Sequence, residues 1–455
     1  MRSLFGRLLP AVCLPLLLLP ASAGAQGWTF DARKIALGGA GDGNLASGMV
    51  PPRRPYRVVV MPFGIARILG DKDKFDPGST KFDPVLLVED VANPLHLLLN
   101  HQSNPALQGF VNDIRNARLN RDLNAYRGFT PAETLNAEGL VDSTLGYTFK
   151  IGKRRGGGFQ GIRIGAGPYI PVKSENSLDP ELIALLGSTS PVVLRNTRLD
   201  LASRTRGQLG VAVAAGYRAH IPWPADSAYS SPRDGLYIAA DYDYIKGFAF
   251  ADIDLAVRLD TDASGLITVL PNTTPIRFAR QSATSGSGHA INLGAVAVAG
   301  PIEVGFGARG LGNTMTWNDV ENVTYSLRSL TSGNSDFIES PTITVPQLTT
   351  EIPVEYRFHG AVHGTGLSVL GDLRTGFNGT SVHAGVEART ASVEVRGGLR
   401  YASDYWNPAV GVGLNLGAVG IDVSLFTTTA NIERRRDKGI AASLRFMGKP
   451  KDGLD

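Results

Sequence analysis

From Ala391 to Phe446 the side chains alternate in character with a period of two, and a chain written this way can lay down only short, two-faced strands. Val393, Val395, Gly397, Leu399 and Tyr401 alternate with Glu394, Arg396, Gly398 and Arg400. The pattern then repeats: Val410 to Leu416 alternates with Gly411, Gly413 and Asn415, Val419 to Leu425 with Gly420, Asp422 and Ser424, and Ile440 to Phe446 with Ser443 and Arg445. A soluble sandwich also alternates. Here the charged face returns strand after strand in segments of about 9 to 11 residues, the length that crosses an outer membrane when tilted. The apolar stripe is read as facing lipid and the charged stripe as facing the inside of a barrel.

The two ends of the 455-residue chain set further limits. Residues 1–25 read as a secretory signal, with Arg2 and Arg7, an apolar segment Leu8 to Leu19, and small residues Ala23-Gly24-Ala25 at the cleavage site; cleavage after Ala23 fits nearly as well. The single cysteine, Cys13, lies inside it, so the mature chain has no disulfide. Losing Arg2 and Arg7 lowers the formal charge from +4 to +2, which gives nucleic-acid binding no support. Beyond the signal no run of 18 apolar residues occurs, and Ala290 to Phe306 is broken by Asn292, Pro301 and Glu303. Length alone would also allow two or three soluble domains. An exported, cysteine-free, Gly-rich chain of alternating strands fits a transmembrane barrel, where closure satisfies the backbone without edges.

The expected fold class is therefore all-β: an antiparallel barrel of about fourteen strands spanning 140–446, with a partly helical N-terminal plug at 26–139 and a tail at 447–455. Helical spacing of Leu107, Phe110, Val111 and Ile114 places a helix from about Pro105 to Ala125, and Thr130-Pro131 begins another. The strand candidates are 141–151, 159–170, 208–221, 235–245, 248–260, 289–299, 301–310, 352–363, 366–374, 380–389 and the four C-terminal ones. Tight connections at Lys246-Gly247, Gly300, 364–365, Thr390 and Gly417 alternate with long ones, notably 261–288 and 311–351. The connection 171–207 breaks this alternation: it is either an insertion, with a short helix at 179–186, or hides a strand at Val192 to Ala202.

Asp31-Ala32-Arg33 with Gly38-Gly39-Ala40-Gly41, followed by Asn104-Pro105-Ala106-Leu107, resembles the N-terminal hatch of the long-chain fatty-acid transporter superfamily of outer-membrane barrels, and more closely its relatives in conjugal transfer and secretion. The resemblance implies a fourteen-stranded barrel with its lumen plugged by the N-terminal segment, hatch residues Gly38, Gly39, Gly41, Asn104, Pro105 and Ala106, and passage of hydrophobic molecules. Two features depart from that family: about fifty residues, Met49 to Ser103, separate the hatch motifs, and nine follow Phe446.

Candidate chemistry is confined to charge. With Lys246-Gly247 as a two-residue turn, Asp241 would face Asp252 and Asp243 would face Phe250, with Asp254 and Asp260 on the same stripe. Like charges directly opposite are destabilising, so a cation is expected there: Arg258, a hatch residue such as Arg33 or Arg54, or a bound ion. The leading reading is a lumenal salt-bridge network that anchors the plug. By the same parity Ile245, Phe248 and Phe250 face inward. His359 and His363 lie about 13 Å apart along a strand, too far for one metal. No Gly-x-Ser-x-Gly elbow or assembled triad points to catalysis, and no cofactor is expected. Gly38 to Gly43 follows no strand, which excludes a nucleotide loop. The tyrosines and tryptophans near strand ends, among them Tyr217, Trp223, Tyr237, Tyr242, Tyr244, Tyr401, Tyr405 and Trp406, suit interface girdles. The expected surroundings are outer-membrane lipid, with a hydrophobic small molecule as cargo. The rival is an accessory barrel holding a periplasmic or surface protein partner.

Overall fold

The computed structural model describes residues 31–51 except 42, 56–70 except 62, 73, 96–99, 134–181 except 143 and 154–157, 195–327 except 225, 226, 229, 230, 265, 266 and 269–275, and 337–447 except 378, 403, 404 and 431–435. The signal, the tail, the helix expected at 105–125 and the Asn104-Pro105-Ala106 motif lie outside them. Among the described residues no helix is long and apolar enough to cross a membrane, which says nothing of strands.

The architecture is an antiparallel β-barrel wall of the outer-membrane type around an N-terminal plug. Its strands are β1 (Tyr56–Val60), β2 (Leu97–Leu98), β3 (Thr134–Asp142), β4 (Leu145–Lys153), β5 (Phe159–Leu178), β6 (Arg198–Ile221), β7 (Gly235–Thr261), β8 (Ile267–Thr268), β9 (Ile276–Ala283) and β10 (Ser285–Ala299). There follow β11 (Ile302–Leu327), β12 (Phe337–Glu339), β13 (Ile343–Glu351), β14 (Glu355–His363), β15 (Leu367–Gly376), β16 (Gly379–Arg389), β17 (Val393–Ala402), β18 (Tyr405–Leu416), β19 (Val419–Ala430) and β20 (Arg436–Met447). Helices are α1 (Ala32–Ala36) and α2 (Phe63–Gly70).

These strand segments outnumber the fourteen strands expected, and much of the excess is interruption. β3 and β4 hold one register against β5, β9 and β10 hold one against β7, and β12, β13 and β14 follow one another along β11. Neighbour-to-neighbour pairing runs from β20 back through β14 to β11, β10, β7, β6 and β5, and β1 and β2 sit on the other edge of β20. The two faces differ as the alternation requires: Val410 is 56 % exposed on the outside, while Asp422 on the adjacent strand is fully buried.

The hairpin expected at Lys246-Gly247 does not exist. β7 is one strand of 27 residues, paired with β6 along one edge and with β10 and β9 along the other. The irregularity at that point is a bulge: Leu209 pairs with Ala249 and Gly210 with Gly247, so Phe248 is the extra residue. A bulge changes side-chain parity. Ile245 and Phe250 are therefore buried inside, as expected, whereas Phe248 is 50 % exposed outside. Gly247 lacks a side chain because any Cβ there would land on the Trp317 ring. Removing one strand also restores the alternation of connections, because the segment between β5 and β6 now falls on the side of the long loops. β6 begins at Arg198, so the strand suspected near 192–202 is real in its second half.

The expected long loops are largely strand as well. β9, the far half of β11, β12 and β13 occupy much of 261–288 and 311–351. Strands β14 to β17 are 9 to 11 residues long, but β6, β7 and β11 have 24, 27 and 26. At strand rise, 27 residues reach about 90 Å, against a lipid-facing band of about 25 Å. One part of the wall therefore continues past the membrane as an extension carried by β3, β5, β6, β7, β9, β11 and β13.

Replacing Gly247 by Ala is expected to destabilise the folded barrel by about 1–3 kcal/mol through overpacking against Trp317, seen as a lower temperature for loss of the compact form on a semi-native gel. Lys246→Ala, on the outer face, is expected to change little. Tolerance of the Gly247 substitution would sink the continuous-strand account.

Candidate functional site

The candidate site is the plug and the lumenal face on which it sits. Asp31 caps α1, its side chain accepting from the Arg33 amide at 2.9 Å. The helix stops after five residues because Gly38 and Gly39 take positive φ, folding their amides back onto the carbonyls of Ile35 and Lys34. Gly38 could be nothing else, since a Cβ there would meet the Leu399 amide at 2.6 Å. Plug backbone and wall backbone touch directly.

From there the segment crosses the lumen. The Ala32 amide donates to Ser443 on β20, Arg33 binds Glu387 on β16, Arg374 of β15 donates to the Gly39 carbonyl at 2.6 Å, and Arg357 of β14 donates to that of Gly43. Asn44 Nδ2 donates to the carbonyls of Ala295 on β10 (3.0 Å) and Phe306 on β11 (2.7 Å), which are partners across that ladder. Val50 and Ala46 pack with Tyr237 of β7 and Val296 and Val298 of β10. One segment of about twenty residues thus touches wall strands from β7 to β20, which is possible only because the sheet curls around it. Gly38, Gly39 and Gly41 of the hatch motif lie at its centre, against Leu399, His383 and Leu370.

The wall under the plug is a belt of paired charges. Glu387 receives Arg33 (2.6 Å), Arg396 (2.8 Å) and Arg389 (3.1 Å); Arg396 continues to Asp422 and Glu394, and Arg445 binds both of those. Fully desolvated charges persist only when paired this closely. These residues are the polar stripe read from the sequence at Glu394, Arg396, Asp422 and Arg445. What the sequence reading missed was that they form one network, legible only once the register places 396 beside 387.

The aspartate cluster is arranged differently from the expectation. Because β7 is continuous, Asp241 and Asp252 lie about 36 Å apart along it rather than across a hairpin, and no like-charge clash arises. Asp241 is held by Arg218 through both oxygens (2.6 and 2.7 Å) and by Arg163 at 3.2 Å. Asp243 accepts from Asn292, whose own oxygen accepts the Gly310 amide. Asp252, beyond the bulge, is bound by Arg204 and Arg206. Asp254 and Arg258 are exposed on the extension, where Arg258 pairs with Asp200. The cations are therefore neighbours on the wall. Arg258 and Arg33 serve other carboxylates, and Arg54 lies outside the described residues. The carboxylate that binds the plug is Glu387, through Arg33.

Other candidates fall elsewhere. His359 and His363 both approach Glu303, at 3.7 and 4.0 Å, and Glu303 also binds Arg233, which donates to the plug carbonyl of Pro51. Among the described residues no three His, Cys, Asp or Glu side chains are grouped to hold a metal. Of the aromatics, Tyr217, Tyr242, Tyr244 and Trp406 are exposed on the outside, but Tyr237 points inward and stacks on His220 at 4.2 Å. Farther along the strands than the plug lies an apolar lumenal cluster. Trp317 stacks on Phe250 at 5.4 Å, surrounded by Tyr169, Ile245, Met315 and Phe377.

Arg33→Ala should release the plug while leaving Glu387 its two wall arginines: higher single-channel conductance in planar bilayers with a small loss of thermal stability. Glu387→Ala should do both, with a stability cost of about 3–5 kcal/mol because buried guanidiniums lose a partner. If neither substitution alters conductance, the belt does not hold the plug. On the extension, burial works to raise the Asp252 carboxyl, but the guanidiniums of Arg204 and Arg206 prevail and hold it below the ordinary aspartate range. Its contribution, about 1 kcal/mol or less for so exposed a pair of arginines, is complete above the unfolded value of about 3.9 and is lost as pH falls through the lower folded value. Protease protection of the extension should accordingly be flat from neutral pH to about 4, and Asp252→Asn should remove the acid-dependent step.

No protein-family model and no curated protein matches the sequence. Among solved structures the chain is similar to the toluene transporter TbuX of Ralstonia pickettii, at 13 % identity and a TM-score of 0.33 over 69 % of this chain and 86 % of that one. It is similar also to a TodX monoaromatic hydrocarbon channel variant, at 10 % identity and 0.34 over 70 % and 86 %, and to a porin of Rh. blastica, at 8 % and 0.24 over 69 % and 100 %.

Proposed function

We propose that the protein passes small hydrophobic compounds, of fatty-acid or aromatic type, through the outer membrane after export by the N-terminal signal. The observation that carries this reading is the Trp317 and Phe250 cluster: beside a wall rich in paired charges, aromatic and aliphatic side chains are buried together farther along the strands than the plug. Where these side chains part to admit it, a hydrophobic solute gains about 25 cal/mol per Å² on leaving water. Capture there, followed by release past a displaced plug, needs no energy source.

A second reading has its own observation. The extension reaches well past the lipid band, and the plug is seated on a dense ion-pair belt, as an accessory barrel holding a protein partner would require.

Reconstituted mature protein should take up labelled toluene or oleate into liposomes in a saturable manner. Trp317→Ala should reduce that uptake severalfold, and Arg33→Ala should increase it. Uptake no faster than in protein-free liposomes would overturn the transport reading, and a stoichiometric protein partner in a native mass spectrum would then favour the accessory role.

A further inference from the structure

Arg400, on β17, differs from the other inward arginines of the wall. Arg218, Arg374, Arg389, Arg396 and Arg445 each pair with a carboxylate. Arg400 has no ion pair or hydrogen bond among the described residues, and the charge that acts on it is the like charge of Arg374. Its register partners are His383 on β16 and Asn407 on β18. Side chains so placed on one face stand about 5 Å apart at Cβ.

Each neighbour constrains what could complete the group. His383 is already committed, Nδ1 to the Gly38 carbonyl of the plug at 2.6 Å and Nε2 to the Ser381 hydroxyl at 2.8 Å. Asn407 donates from Nδ2 to the Tyr405 carbonyl, but its Oδ1 is buried without a donor. A cation lacking an acceptor and an acceptor lacking a donor are therefore adjacent, beside the Gly38-Gly39 turn of the plug. A carboxylate or sulfate at neutral pH only accepts, so either would answer Arg400 and leave Asn407 unmet. A hydrogen phosphate accepts from the guanidinium and donates its own O–H to Oδ1.

We infer that Arg400 and Asn407 form a lumenal site for an oxyanion that retains a proton, a phosphate or a phosphate monoester. The site is independent of the passage of hydrophobic compounds. Its ligand is either free phosphate or the terminal phosphate monoester of a lipid such as phosphatidic acid.

The test is calorimetric titration of the full mature protein, purified in detergent without phosphate, with sodium phosphate, sodium sulfate and sodium acetate at equal ionic strength, and with short-chain phosphatidic acid. Phosphate should bind about tenfold or more tightly than sulfate or acetate. Arg400→Gln should weaken it at least about tenfold, as loss of a charge-assisted contact does. Asn407→Ala should erase the preference for phosphate over sulfate. Because Arg400→Gln removes an unpaired charge, it should leave the thermal midpoint in phosphate-free buffer unchanged or higher, where loss of a structural ion pair would lower it. Tighter binding of phosphatidic acid assigns the lipid headgroup, and tighter binding of inorganic phosphate assigns the free ion. The site is overturned by absence of phosphate binding, by equal affinity for sulfate, by an Arg400→Gln protein that binds phosphate like the wild type, or by one that melts markedly earlier.

Discussion

Charged side chains that the strand period turns inward need partners inside the barrel, a demand that all but Arg400 of the inward wall arginines compared above meet with a carboxylate, and the rest of this structure depends on how it is met. In β16 to β20 it is met across the sheet, where Glu387, Arg396, Glu394, Asp422 and Arg445 form one connected belt. One position of that belt is taken from the plug, by Arg33. The plug is therefore part of the electrostatic closure of the wall. A belt so compact leaves few ways to reposition the plug without unpairing a desolvated charge.

Close approach of backbones is the second condition. The plug rests on strands whose inward positions include small residues, so that Leu37 and Gly38 come against Gly398 and Ala36 against Gly411. Asn44 uses the same proximity to reach two carbonyls of the β10 and β11 ladder at once. Ion pairs locate the plug around the circumference, and these backbone contacts set its depth. On β7 and β11 the wall turns apolar beyond that depth, because the bulge at Phe248 brings Phe250 inward to stack on Trp317. One extra residue thereby places the buried aromatic cluster that the transport reading uses.

Much of this was legible in the sequence, and the failures have a common origin. Alternation in β14 to β20 gave nearly every inward and outward residue, because those strands are regular and of membrane length. It failed on β7, where Lys246-Gly247 looks like a turn. A glycine can be required for backbone freedom or for space, and sequence does not distinguish the two. Here the reason is space, since the Trp317 ring occupies the volume. The error then propagated. A false hairpin placed Asp241 opposite Asp252, displaced the connection before β6 to the wrong side, and left Arg204, Arg206 and Arg218 unrecognised as partners.

The sequence by itself determined the class of fold and the face of each regular strand, since a period of two admits no other placement of apolar and charged residues in a lipid-bounded wall. It also marked the plug, through glycines that only a positive φ or a backbone contact would require. Register, strand length past the lipid band and the identity of each ion pair were decided by tertiary structure. These depend on which residues stand opposite one another across a ladder, and side chains hundreds of positions apart, such as Arg33 and Glu387, meet only when the sheet has curled around the plug.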